Sequence, residues 1–187
     1  KEHGCIVVHH SDSYAANLVP SMIDMGVDVW QGCLSTNNIP ELIEKIGSEN
    51  IVDSKTAKID QPSGIKLAIA KGYKNIAVTV TLASDIDEIE KIRDEHPDVN
   101  IYVFVVHTSK KNPEDARKLF DACDVTTACA SKNIREIGQK ESIKTVGQSI
   151  PIYARTENGK KFLEMRLKKI GGEKPKKDNP DLPHPLI

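Results

Sequence analysis

The chain has 187 residues, is 39% hydrophobic and 28% charged, and carries a formal net charge of −1. That length supports one well-buried α/β core, and the near-neutral balance supplies no overall field to draw nucleic acid or a membrane surface. The longest apolar runs, such as "IYVFVV", are far short of the roughly 20 residues a spanning helix needs.

Short β-branched runs alternate with amphipathic helices along the chain. "CIVVHH" reads as a strand and "SYAANLVPSMIDMG" as a helix closed by Gly26, with Pro20 kinking or dividing it. "VDVW" follows as a strand, and "NNIPELIEKIG" as a helix that starts on a cap-like Asn38 and ends at Gly47. "NIVD" is read as a short third strand, and "QPSGIKLAIAKG" as the next helix. "NIAVTV" is a strand. "ASDIDEIEKIRDEH" has Ile86, Ile89 and Ile92 at helical spacing. "NIYVFVV" is apolar on both alternating faces, which suits a central parallel strand. "NPEDARKLFDAC" opens on Asn112 as N-cap, with Pro113 at the first helical position. "DVTTAC", the helix "SKNIREIG", the strands "IKTV" and "IPIYAR" and the helix "NGKKFLEMRLKKIGG" complete the ordered part. The tail "EKPKKDNPDLPHPLI" holds four of the ten prolines and no periodicity, so it reads as an arm or a frayed end.

Strand–helix alternation predicts a three-layer α/β sandwich with a mostly parallel sheet, residues 1–172 forming one domain and 173–187 a Pro-rich arm. A partial β/α barrel completed by another chain is the alternative. Ligands of parallel α/β sheets bind beyond the carboxyl ends of the strands. Those ends deliver His10 and Asp12, Cys33, the loop with Lys58 and Asp60, Thr79 and Thr81, His107, then Cys129, Ser131 and Lys132, and finally Gln148 and Ser149. Two imidazoles and two thiols on one edge point to a cleft holding a ligand through His10, Asp12, Cys33, Lys58, Asp60, His107, Cys129 and Ser131. His10, Asp12, His107 and Cys129 are the candidate metal ligands.

Bland roles compete with this reading. Cys123 and Cys5 fit small core residues, His107 could cap the sheet, and Lys58 fits a solvated loop. The four cysteines form no C-x-x-C pair, so reduced thiols and a cytoplasmic protein are expected. Lys1 in place of Met is read as a processed, truncated or excerpted start. Common nucleotide, hydrolase and zinc-protease fingerprints are missing, and aromatics at 4% give no stacking platform for nucleic acid.

From about residue 35 to 170, "TAKIDQ", "GYKNIAVTV" and "ACASKNIRE" resemble the methanogenesis marker protein 8 family. That resemblance implies an archaeal-type C1 or methanogenesis context and carries over no catalytic role. The first 45 residues, with "HGCIVVHHSDSYAANLVPSMIDMGVDVWQG", are similar to a strand–helix–strand unit of the uroporphyrinogen decarboxylase superfamily, which includes corrinoid-dependent methyltransferases. Its zinc-using members end this strand in His-x-Cys. Here the matching positions are His10 and Asp12, so the thiol is missing. The preferred functional expectation is an accessory protein of C1 metabolism that binds a small anionic ligand, a metal or a corrinoid-like cofactor. A methyltransferase-like enzyme acting with a corrinoid or zinc is the alternative. No nucleic-acid or membrane partner is expected, and association of copies is expected through an edge strand or the arm.

Overall fold

The computed structural model describes residues 6–7, 13–31, 40–53, 55, 59–173, 175–178, 180 and 182–187. The expected site residues His10, Asp12, Cys33 and Lys58 lie outside the described residues. Of the segment that resembles the decarboxylase unit, residues 6–7 and 13–31 are described.

The strands are β1 (Ile6–Val7), β2 (Val29–Gln31), β3 (Asn75–Val80), β4 (Asn100–Val105), β5 (Val125–Thr127), β6 (Lys144–Val146) and β7 (Ile152–Ala154). The helices are α1 (Ser13–Asp24), α2 (Pro40–Ile46), α3 (Gln61–Ala70), α4 (Ser84–Glu95), α5 (Pro113–Ala122), α6 (Lys132–Glu141) and α7 (Glu157–Lys169). One seven-stranded sheet runs in the order β1-β2-β3-β4-β5-β7-β6. The first five strands pair in parallel, while β7 is antiparallel to both β5 and β6.

The central strands explain the layering. Successive side chains on a strand point to opposite faces. On β3 and β4, Ile76, Val78, Val80, Ile101, Val103 and Val105 join one cluster with Ile65 of α3, Ile86, Ile89 and Ile92 of α4, and Leu119 of α5. Ala77 and Phe104 turn the other way, onto Leu18 and Met22 of α1 and Phe162 and Leu163 of α7. The Phe162 ring meets Tyr102 and Phe104 edge-on, each at 5.3 Å between centroids. Helices thus cover both faces, which is why "IYVFVV" has no polar alternate. The architecture is the three-layer α/β sandwich with a mostly parallel sheet; a barrel would leave one face of the sheet without helices.

Two expected elements differ. "NIVD" forms no strand; a 3-10 turn occupies Ser48–Asn50, and the Asp53 carboxylate accepts from Lys55 N at 2.9 Å, bending the chain instead. "IKTV" and "IPIYAR" form the expected strands β6 and β7, but β7 runs against the rest of the sheet. Only residues 147–151 join them, with Gly147 at φ 80°, and so short a link cannot carry a parallel crossover. Pro20 lies inside α1, which continues across it to Asp24.

Four of the helices, α3, α5, α6 and α7, begin at a readable side-chain cap. Asp60 accepts from Ser63 N, Asn112 from Asp115 N, Ser131 from Ile134 N and Thr156 from Gly159 N. Because α3 and α6 run antiparallel to the strands they flank, the caps Asp60 and Ser131 both stand at the carboxyl edge of the sheet.

Candidate functional site

The loops leaving β4 and β5 are stitched side by side. Thr108 is buried and donates from Oγ1 to Thr127 O at 2.9 Å, Ala130 N donates to Ser109 Oγ at 3.2 Å, and Asn133 Nδ2 donates to Lys111 O at 2.8 Å. One strand further out, Thr81 Oγ1 reaches Val106 O at 3.4 Å, and the buried Gln61 donates its amide to the Thr79 carbonyl. The edge from β3 to β5 is therefore a continuous hydrogen-bonded surface.

Of the expected site residues that the structure describes, His107 and Cys129 stand on neighbouring loops of this edge. Both adopt left-handed backbone, at φ 53° and φ 43°, and Lys110 does so at φ 62°. No glycine relieves these positions. Such a conformation costs roughly 1–3 kcal/mol when a side chain is present, and tends to gather at working sites. His107 is exposed. Cys129 is half-buried, with its Sγ 3.9 Å from Thr127 Oγ1. Ser131 is fully buried, and its oxygen caps α6 at 3.3 Å from Ile134 N. Asp60 is half-buried and caps α3 at 3.0 Å from Ser63 N. Their side-chain oxygens thus already serve helix starts. Cys123 is a core residue at 1% exposure whose Sγ lies 3.2 Å from Phe120 O, and burial pushes its thiol far up, with the Asp124 charge adding to that.

The residue that sequence reasoning missed is Arg135. On α6 it carried no expected role, yet it is only 7% exposed. Its Nη2 donates to Cys129 O at 2.7 Å and to Ser149 O at 2.8 Å, tying the Cys129 turn to the loop between β6 and β7. Its Nε is buried and has no hydrogen-bond partner. No carboxylate of the described residues stands within ion-pair distance of it, nor of Lys110 or Lys111. Lys132 pairs loosely with Glu136 at 3.9 Å. The edge is therefore cation-rich. The only signal for Arg135 in the sequence was its place one residue after the core Ile134.

The end of the arm reaches this edge as well. Ile187 N donates to Ala130 O at 2.8 Å, while Lys110 N and Lys132 N point to Ile187 O at 3.4 and 3.3 Å. An oxygen atom is thus received between the start of α6 and the strained loop after β4. Among the described residues, no group of three or more His, Cys, Asp or Glu side chains comes together to hold a metal, and no helix is long and apolar enough to cross a membrane.

The fold and this edge define a three-layer α/β protein whose loops converge on a cationic surface at the carboxyl ends of its parallel strands. The chain belongs to the family described as "Uncharacterized protein conserved in archaea (DUF2099)", whose pattern matches residues 18–168. It is similar to the "Uncharacterized protein MJ0054" of the methanogen Methanocaldococcus jannaschii, 38% identical over 142 residues, which are 74% of this chain and 49% of that protein. The chain spans about half the length of that relative. No solved structure matches the chain.

Proposed function

We propose that the chain is an accessory binding protein of C1 metabolism in methanogenic archaea, of the methanogenesis marker protein 8 kind, and that it holds a small anionic ligand at the carboxyl edge of β4 and β5. The observation that carries this is Arg135. A buried guanidinium held by two carbonyls, with no ion-paired carboxylate among the described residues, is an expensive arrangement, and an anion seated nearby offsets the cost. The family context and the relative from a methanogen support the metabolic setting. His107 and Cys129 are the side chains of this edge suited to a metal or a corrinoid carried with that ligand.

The test is a thermal-shift and isothermal titration series on the untagged full chain, using inorganic pyrophosphate, citrate and a cobalamin, with metal content measured on the same preparation. Binding is expected to raise the melting temperature and to slow alkylation of Cys129. Lys110→Ala with Lys132→Ala should weaken it by at least tenfold. No shift with any of these compounds, together with no retained metal, rejects the reading.

A further inference from the structure

A separate cleft opens beside the outer strand of the sheet. Its volume is about 840 Å3, within the range of sites that enclose small molecules. Its floor is apolar and comes from four elements: Leu18 of α1, Val146 of β6, Ile152 of β7, and Leu163 and Leu167 of α7. Ile170 stands at its side with 53% of its surface exposed and extends the apolar floor outward.

The rim has the opposite character. Lys144, Arg166, Lys176 and Lys177 line it, against Glu173 alone among the acids. Glu173 is already engaged by Lys144 at 3.1 Å. Neither Lys176 nor Lys177 has a carboxylate of the described residues within ion-pair distance. These two lysines are not placed by chance coil. The Gln148 side chain grips the segment that carries them from both ends of its amide, donating to Pro175 O at 2.9 Å and accepting from Lys177 N at 2.5 Å. A built strap thus holds two lysines, neither ion-paired to a described carboxylate, over an apolar trough.

We propose that this cleft binds an anionic amphiphile, a molecule with a hydrocarbon body and a phosphate or carboxylate head. The body lies on Leu18, Ile152, Leu163 and Leu167, and the head meets Lys176 and Lys177 at the strap. The volume favours a small molecule over a folded partner, and the charge of the rim favours an anionic head over a cationic one. The inference is independent of the ligand at the Cys129 edge. The two regions adjoin at Ser149, which lines the cleft and accepts from Arg135 through its main-chain oxygen.

The experiment is displacement of anilinonaphthalene sulfonate from the full chain, below micelle-forming concentrations. The competitors are hexyl, octyl and decyl phosphate, decanoate, decyltrimethylammonium, inorganic phosphate and an acidic peptide. Alkyl phosphate or decanoate should displace the dye at one site per chain, with affinity rising about three- to fourfold per added methylene. The comparison of decyl phosphate with decanoate assigns the head group, and displacement by either supports the proposal. Lys176→Glu with Lys177→Glu, both at exposed positions, should weaken displacement at least tenfold, while Lys110→Ala with Lys132→Ala leaves it unchanged. Affinity that is flat with chain length, equal displacement by decyltrimethylammonium, or no effect of the double charge reversal overturns the proposal. So does displacement by inorganic phosphate or the acidic peptide in place of the alkyl compounds.

Discussion

Cys129 and Cys123 are six positions apart and live under opposite conditions. Cys123 is sealed in the core, where burial disfavours its thiolate; Cys129 sits half-exposed on a strained turn. Mass-resolved alkylation of the native protein should therefore label Cys129 at least a hundredfold faster than Cys123, which should react only on unfolding. Equal rates would make Cys129 a packing residue. Asp124, at the opposite edge of the sheet, supplies a pH test. Its carboxylate accepts from Val103 N at 2.8 Å and from Thr156 Oγ1 at 2.5 Å, yet burial outweighs these bonds and raises its pKa above the ordinary carboxylate value. A folded-state pKa above the unfolded one, about 4, means that the stability it contributes is complete below about pH 4 and is lost as pH rises through the folded value. Denaturant melts of the wild type minus Asp124→Asn should show this difference falling from pH 4 toward neutrality; a difference that grows with pH contradicts it. The thiol contrast was readable from the sequence, because Cys129 follows an apolar run and precedes a helix start, whereas Cys123 closes a helix. Arg135 was not. Its burial depends on how α6 lies against β7, a tertiary fact that helical periodicity does not carry.

That placement of α6 depends on a glycine, as does the start of α7. A Cβ on Gly138 would fall into the buried Tyr153 ring, and one on Gly159 would meet the main-chain oxygen of Asp124. Gly159→Ala has no escape, because the obstacle is backbone, and it should cost about 3 kcal/mol or more; Gly138→Ala should cost about 1–3 kcal/mol. Urea unfolding of the two variants checks both values, and a neutral Gly159→Ala would show that α7 can slide on β5. By sequence alone Gly138 reads as the stop of "SKNIREIG", and Gly159, inside its helix, shows no sign of the close contact it makes. Strongly periodic elements were readable because burial and pattern coincide: Ile86, Ile89 and Ile92 of α4 are all in the core, and β4 is apolar on both faces because both faces are covered. "NIVD" misled because a short apolar run does not state whether it finds a partner, and the direction of β7 was not readable from its own residues. The brevity of the 147–151 link was the available clue.

At the scale of the molecule, alternation was enough for the three layers, since most strands that a helix separates must lie parallel. The arm escaped the same reasoning because no period governs it. Read as frayed, it instead places Ile187 against Ala130 and between the N–H groups of Lys110 and Lys132, beside the turn that carries Cys129. Its contacts there are few. Two of the three bonds are long, at 3.3 and 3.4 Å, so the arm contributes little to folding. Deleting residues 182–187 should lower stability by about 1 kcal/mol or less while speeding alkylation of Cys129 several-fold and tightening anion binding at Lys110 and Lys132. Melts and labelling of the same truncated protein separate the two effects. Unchanged labelling with unchanged stability would mean that the arm lies beside the edge without shielding it. A large loss of stability would mean that the arm belongs to the core, with Ile187 acting as part of the packing of α6 instead of as a cover over the ligand edge.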